Sequence, residues 1–247
     1  MRFACRFLLA GGLLAAFGLT LASSGEAQEN RVPNAQGEEP AWRFSFTPYL
    51  WGAGLNGRVG VAGRSSDVNI SVGDVIDNFD IGVMGLVEAR KELWALRTDV
   101  FFVNLGNEVD GVTVDLSELM LQPEVGRTIL SRPWGGIDAL VGARYWHVRV
   151  DLSPNEVSES QDWIDAVLSA ALRYLPAERW HLFAKGDLGA GGSSFTWQAY
   201  GGAAYDVGQC CAVSALYRYL DVDYEKENGL VYDVHSNGPA LGVTLHF

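Results

Sequence analysis

The sequence predicts an all-β protein, a transmembrane antiparallel up-and-down β-barrel of about ten strands, with eight or twelve strands as the alternatives. Three observations lead to this prediction. The final segment, Asn237 to Phe247, alternates apolar with small or polar residues and ends on an aromatic residue. Short turns alternate with longer polar loops along the chain, as they do in transmembrane barrels. No apolar run of about 18 residues follows the N-terminal segment, so no transmembrane helix is predicted there.

The first 27 residues have the pattern of a secretory signal peptide. Arg2 and Arg6 precede an apolar stretch over 7–22, and Gly25 and Ala27 place small residues before a cleavage site. An N-terminal membrane anchor is the alternative, although the apolar run is short for a spanning helix. Residues 28–41 are polar and aperiodic, which predicts a disordered periplasmic leader. The barrel is therefore expected over 42–247.

Alternation of apolar and polar residues predicts the strands in chain order. The first covers residues 42–53, and the others cover about 81–91, 94–105, 112–130, 135–151, 163–175, 180–190, 195–207, 212–224 and 237–247. Proposed outward faces are apolar; in the strand over 163–175, for example, Ile164, Leu168 and Leu172 share one face.

Residues 54–80 are predicted to form an elaborated first loop. Leu55-Asn56-Gly57 has the signal of a hairpin turn, and 58–62 with 67–72 could form a small ribbon, followed by a short helical turn over 73–79. The alternative counts the two ribbon strands as members of the barrel.

The turns differ in length in a regular way. Three of the four tight turns end on tryptophan, at Trp94, Trp134 and Trp180. The longer polar segments include 153–162 and 225–233, which are acidic. Short turns are typical of the periplasmic side and longer loops of the outside, with aromatic residues at each interface.

The sequence combines four features: a signal peptide, the Pro48–Trp51 segment PYLW, alternating strands and a closing strand that ends in phenylalanine. In these features residues 42–247 resemble small bacterial outer-membrane β-barrel proteins of the opacity-like and porin-like superfamily. The resemblance implies the outer membrane of a Gram-negative bacterium, contact with its lipid and lipopolysaccharide, escort by periplasmic chaperones and insertion by the barrel-assembly machinery. The implied assembly signal is Leu241, Val243, Leu245 and Phe247.

Charged residues fall on the predicted inward faces, with both signs in balance. One sign alone would favour an ion-selective pore, whereas balance favours ion pairs across the lumen. A barrel of about ten strands with long charged side chains inside is expected to be narrow or plugged. The candidates are Arg43, Glu88, Arg90, Arg97, Asp99, Glu118, Glu124, Asp138, Arg144, Asp165, Arg173, Lys185, Asp187 and Arg218.

Little in the sequence favours catalysis. The chain has only 4 histidines and lacks a GxSxG or HExxH motif, and its net charge of −12 disfavours nucleic acid as a partner. The predicted role is therefore structural or surface-interacting, without enzyme activity, cofactor or metal. The first alternative is a small diffusion pore, and the second is a barrel enzyme acting on lipid or peptide at the external rim.

Two groups of residues would serve the rim-enzyme alternative. A lipid hydrolase would draw on His147 or on the His235-Ser236 pair. An omptin-like protease would draw on Asp221, Asp223, Asp233 and His235, although acidic external segments are more often simply solvated. A soluble lipocalin-like barrel is the structural competitor, and it would place its apolar residues inside.

Overall fold

The computed structural model describes residues 41–61, 64–71, 73, 79–109, 112–153, 157–225 and 229–247. The predicted signal peptide and nearly all of the predicted leader lie outside these residues, as does most of the predicted helical turn. Within the described ranges, no helix has the length and apolarity needed to cross a membrane.

The described part of the chain is made almost entirely of strands. Their bounds are β1 Arg43–Trp51, β2 Gly54–Val61, β3 Arg64–Ile70, β4 Phe79–Lys91, β5 Trp94–Val109, β6 Val112–Arg132, β7 Gly135–Ser153, β8 Val157–Ala177, β9 Trp180–Gly191, β10 Phe195–Asp206, β11 Cys211–Glu225 and β12 Val231–His246.

Ten of these strands close into a barrel. Neighbours from β4 to β12 pair in sequence order, and β1 pairs with both β4 and β12, always antiparallel. Closure gives every wall strand a hydrogen-bonded neighbour on each side, as a bilayer requires because it offers no water as a partner. The predicted all-β barrel of ten strands is confirmed.

The two remaining strands, β2 and β3, form an antiparallel hairpin beside the barrel wall. The C-terminal half of β12 pairs with β1, whereas its N-terminal half pairs with β2. The predicted turn at Leu55-Asn56-Gly57 is wrong, because these residues lie inside β2. Gly57 has a φ of +140°, and a Cβ there would lie 2.2 Å from the Asp233 carbonyl oxygen. The glycine therefore permits close approach to β12 rather than a turn.

Pro48 marks the point where β1 leaves β4. It is the last β1 residue in register with β4, opposite Gly85, whereas β1 stays paired with β12 as far as Trp51. Because proline cannot donate to a ladder, it suits a position where pairing on one side ends. Beyond β1, the chain continues as β2, which takes over the pairing with β12 from Asn237 to Val231.

The wall is taller on one side than on the other. Strands β6 and β8 have 21 residues each, whereas β9 and β10 have 12. A bilayer needs about 9–11 residues per strand, so the long strands continue beyond the hydrocarbon. The predicted loops at 153–162 and 225–233 are consequently too long. Strand β8 begins at Val157 and β12 at Val231, inside the segments predicted to be loops. In this part of the wall, inward residues such as Val150 of β7 and Val234 of β12 are buried, while polar residues on the outward face contact solvent.

The outer face of the barrel is apolar. Large side chains such as Leu50, Val83, Leu168 and Leu241 are exposed around the wall. Trp94, Trp134 and Trp180 follow the tight turns and have nearly equal exposures of 46%, 45% and 47%. Since each lies at a tight turn, the three tryptophans stand at the same end of the barrel, as expected of an interfacial aromatic belt.

Candidate functional site

The candidate site is the lumen, in which side chains from all around the barrel meet. We call the half near the tight turns the inner half and the half near the longer connections the outer half. Alternation along each strand directs every second residue inward.

Nearest to the tight turns lies a network around Asp138, which is fully buried. Arg90 reaches both acids of this network, with its Nε 2.5 Å from Glu88 Oε1 and its Nη2 2.6 Å from Asp138 Oδ2. Arg173 Nη2 lies 3.2 Å from Asp138 Oδ1, and Arg97 Nη1 lies 3.4 Å from Glu88 Oε2. Each buried acid therefore has a guanidinium partner.

A second network crosses the middle of the lumen around Arg144. Its Nη2 lies 2.5 Å from Asp187 Oδ1, its Nε donates to Gln122 Oε1 at 2.9 Å, and its Nη1 donates to Thr196 Oγ1 at 2.7 Å. Gln198 Nε2 donates to Asp187 Oδ2 at 2.7 Å. Gln122 stands on β6 and Asp187 on β9, which are not neighbours, so their 3.2 Å hydrogen bond spans the interior.

Lys185 extends this central network toward the opposite wall. Its Nζ lies 2.8 Å from Asp187 Oδ2 and 3.1 Å from Glu124 Oε2. Ser169 donates a hydrogen bond to Glu124. The lysine, both acids and the serine are buried, so every charge has its partner inside the barrel rather than in water.

A third group surrounds Arg218 of β11. Its Nη2 lies 3.0 Å from Asp99 Oδ2 and its Nη1 donates to the Tyr49 hydroxyl at 2.9 Å, while that hydroxyl donates to Asp99 Oδ1 at 2.7 Å. The guanidinium also lies over the Trp51 ring, 4.8 Å from its centroid. The group connects β11 with β1 and β5 across the lumen.

Above these networks, the outer half of the lumen is filled with aromatic and aliphatic side chains. Trp146 packs edge-on against Phe101 and stacks with Trp163, with centroids 5.5 Å and 5.9 Å apart. Trp163 of β8 also stacks on Tyr224 of β11, at 4.0 Å. This stack joins two strands whose intervening hairpin, β9–β10, is short. Met120 is fully buried in the same cluster.

Two acids lie close to this aromatic cluster. Glu118 accepts a hydrogen bond from the Tyr232 hydroxyl at 2.5 Å. Asp165, directly below Trp163 on β8, accepts one from the Ser193 backbone N–H at 2.8 Å. Both are buried, and within the part of the chain that the structure describes neither forms an ion pair, unlike the acids of the inner half. Arg43 lies exposed at the inner rim, in register with Arg90.

The aromatic cluster was missed by reasoning from the sequence, which predicted that the inward faces collect charges. A usable signal was present. Phe101 lies two positions beyond Asp99, Trp146 two beyond Arg144 and Trp163 two before Asp165, so each shares the face of a predicted lumen charge. Extending the alternation by one step would have placed these rings inside.

The closing strand presents its apolar residues outward. Leu241 and Val243 are exposed, Leu245 is half-buried, and Phe247 is 75% exposed. Phe247 N–H donates to the Phe44 carbonyl at 2.9 Å, which attaches the C-terminus to β1.

The histidines and acids named for an external-rim enzyme lie on the outer face of the wall, whereas Ser236 shares the inward face of Val234, so the predicted His235-Ser236 pair is split between two faces. Asp221 is opposite His235 and Asp223 is opposite Asp233, on the face that also carries Leu241 and Val243. Arg58 of the β2–β3 hairpin pairs with Asp233 at 3.0 Å, and this acid raises the pKa of the guanidinium. On β7, His147 Nδ1 lies 2.8 Å from Asp162 Oδ1.

In the described part of the chain, no group of three or more histidine, cysteine, aspartate or glutamate side chains is arranged to hold a metal ion.

Comparisons with known proteins find similarity of structure but not of sequence. No family model matches the chain, and no curated protein matches it. The outer-membrane protease OmpT of Escherichia coli superposes with a TM-score of 0.61 at 9% identity, over 84% of this chain and 97% of that one. This chain has the fold of a small outer-membrane β-barrel protein. At this identity the likeness concerns the fold alone, which agrees with the closed wall and its exposed apolar belt.

Two further solved structures share less of the geometry. Ail, the attachment invasion locus protein of Yersinia pestis, gives a TM-score of 0.37 at 14% identity, over 85% of this chain and all 100% of that one. The translocator domain of the autotransporter NalP from Neisseria meningitidis gives 0.43 at 14% identity, over 87% of this chain and 90% of that one.

Proposed function

We propose that this outer-membrane barrel is non-conducting and non-enzymatic, with a structural or surface-interaction role. Two layers close its lumen: the ion-pair networks of the inner half and the aromatic cluster of the outer half. The proposal stands against the two alternatives, a small diffusion pore and an enzyme at the external rim.

The observation that carries the proposal is the burial of the side chains that cross the lumen. Arg144, Gln122 and Asp138 have 0% exposure although they point into the interior of the barrel. Side chains lining a hydrated pore would keep contact with water. A barrel of about eight strands is just filled by its own side chains, whereas open channels are typical of about 16.

A proteoliposome swelling assay with a small sugar tests the pore alternative. Liposomes carrying the full refolded protein should swell no faster than empty ones. Swelling that depends on sugar size and on protein dose would overturn the closed lumen. A protein-free control and a known open porin at equal molar ratio define the two limits of the assay.

The enzyme alternative has its own test. The protein should leave unstructured peptides and outer-membrane lipid intact during prolonged incubation. Cleavage that is lost in His235→Ala but kept in His181→Ala would contradict the non-enzymatic proposal, because both variants lose an imidazole and only the first changes the acidic outer face.

We extend the proposal to assembly. Leu241, Val243, Leu245 and Phe247 present the exposed apolar face of the final strand, which supports its recognition by the barrel-assembly machinery after escort by periplasmic chaperones. The Phe247→Ala variant should therefore accumulate less in the outer membrane, whereas Val207→Ala, at an exposed apolar position in a turn, should not. Equal accumulation of both variants would contradict this role. Contact of the apolar wall with membrane lipid and lipopolysaccharide belongs to the same proposal.

A further inference from the structure

Two adjacent cysteines, Cys210 and Cys211, occupy the turn between β10 and β11. Their sulfur atoms are 3.5 Å apart, and both side chains are half-buried, so a small reagent can reach them. Gly208 in the same turn has a φ of +91°, a conformation that glycine adopts readily and that bends the chain sharply. The turn thus holds two sulfur atoms side by side at an accessible position.

The position of this turn determines its chemical surroundings. It lies at the same end of the barrel as Trp180, because Asp206 N–H donates to the Arg179 carbonyl at 3.0 Å across the neighbouring tight turn. Short turns face the periplasm in barrels of this kind. The bacterial periplasm is an oxidising compartment in which disulfides form and persist.

The backbone of both cysteines is tied to neighbouring strands. His246 N–H donates to the Cys210 carbonyl at 2.9 Å, and Val207 N–H donates to the Cys211 carbonyl at 2.8 Å. Cys211 also stands opposite Leu245 of the closing strand. A change in the peptide between the cysteines is therefore transmitted to the last residues of β12, next to the seam where β12 meets β1.

We propose that Cys210 and Cys211 are a site of reversible oxidation to a disulfide between adjacent residues. The thiolate of one cysteine attacks the disulfide of a periplasmic thiol–disulfide oxidant, and the thiolate of the other displaces the oxidant from the mixed disulfide. The two thiols lose two electrons and two protons, and the oxidant's disulfide becomes two thiols. The ring that results is small and strained, so thiol reductants open it readily.

Peptide mass spectrometry tests the proposal on the full chain isolated from outer membranes. Thiols are trapped by acid and then alkylated before digestion with trypsin. The peptide from Gly186 to Arg218 contains both cysteines and no other. It should carry no alkyl group and be two hydrogen atoms lighter than the dithiol form. Treatment with reduced glutathione before alkylation should convert it completely to the doubly alkylated form.

The Cys211→Ser variant is the matched control, since its single thiol should be alkylated under all conditions. Double alkylation of the untreated wild-type peptide would overturn the proposal. A disulfide that links two chains instead of two adjacent residues would overturn it as well. Neither readout depends on whether the lumen conducts.

Discussion

The inner and outer halves of the lumen are lined by side chains of different chemistry. In the inner half, charged side chains cross the barrel and each acid of the networks around Asp138, Asp187 and Asp99 has a cationic partner within 3.4 Å. In the outer half, rings such as Trp146 and Trp163 pack face to face or edge to face. Glu118 of the outer half and Asp165, which stands in register with Arg144 at the border of the two halves, rely on neutral hydrogen-bond donors.

The difference teaches how one barrel can be filled in two ways. Long charged side chains span the interior and satisfy one another, but removing one partner leaves a buried charge. Aromatic side chains fill volume and need no partner charge, but removing one leaves a cavity. The inner half should therefore respond to changes of charge and the outer half to changes of volume.

The largest expected effect is in the inner half. Asp187→Ala removes the acid shared by Arg144 and Lys185, and the loss of one partner from a buried pair should lower the free energy of unfolding by about 3–5 kcal/mol. Urea unfolding in lipid vesicles measures the change. The paired replacement Arg144→Met with Asp187→Leu should recover most of the loss. A double variant no better than the single one would contradict charge pairing as the cause.

In the outer half, the loss of side-chain volume should lower the free energy of unfolding. Met120→Ala creates a cavity in the aromatic cluster and should lower the free energy of unfolding by about 2–5 kcal/mol. Leu121→Ala is the matched control. Leu121 follows Met120 on the same strand but faces outward, so lipid fills the space that its side chain leaves. Equal losses in the two variants would mean that the outer half is not tightly packed.

A polar contact inside the outer half provides a finer test. Tyr232→Phe removes the hydroxyl that donates to the buried carboxyl of Glu118. Because that carboxyl loses a donor, the free energy of unfolding should fall by about 1–3 kcal/mol. Tyr217→Phe serves for comparison, since its hydroxyl donates to Asn237 on the exposed outer face. A larger loss in Tyr217→Phe would remove the distinction between buried and exposed contacts.

The smallest effect is expected at the inner rim, outside the lumen networks. Asp206→Ala removes the partner of His181, whose Nε2 lies 2.7 Å away, in a pair that is partly exposed to solvent. This contact is an ion pair only when the imidazole carries a proton, and exposed ion pairs contribute about 0.2–1 kcal/mol and weaken as salt is added. Unfolding measured at low and high salt should show this decline. If Asp206→Ala lowered the free energy of unfolding as much as Asp187→Ala does, the predicted difference between rim and interior would be wrong.

The fold was largely predictable, because alternation and turn length repeat along the chain and the terminal strand is unusually regular. The β2–β3 hairpin was harder. Asn56-Gly57 has the local signal of a turn, but Gly57 is needed because Asp233 comes close to its backbone. Asp233 is in register with Arg58 and lies more than 170 positions further along the chain. Local sequence cannot reveal a contact made from the far end of the chain.

Reasoning from the sequence directed attention to the charges of the lumen and missed its rings. Charged residues on a membrane wall have only one acceptable face, so their direction follows from chemistry. Around Trp146 both faces carry large side chains, since Tyr145 and His147 point outward beyond the hydrocarbon. Polarity therefore no longer distinguishes the inward from the outward face where the wall leaves the membrane. Only the two-residue alternation, counted from the inward-facing Arg144, shows that Trp146 points into the lumen.

Single-channel conductance in a planar bilayer tests most directly whether two independent layers close the lumen. Wild type, Arg144→Ala, Trp146→Ala and the double variant are compared at equal protein density, after confirming that each forms a folded, heat-modifiable barrel. We expect silence in wild type and in both single variants, because the intact layer still closes the barrel, and discrete conductance in the double variant. Steady conductance in wild type, or full opening in either single variant, would contradict closure by two layers.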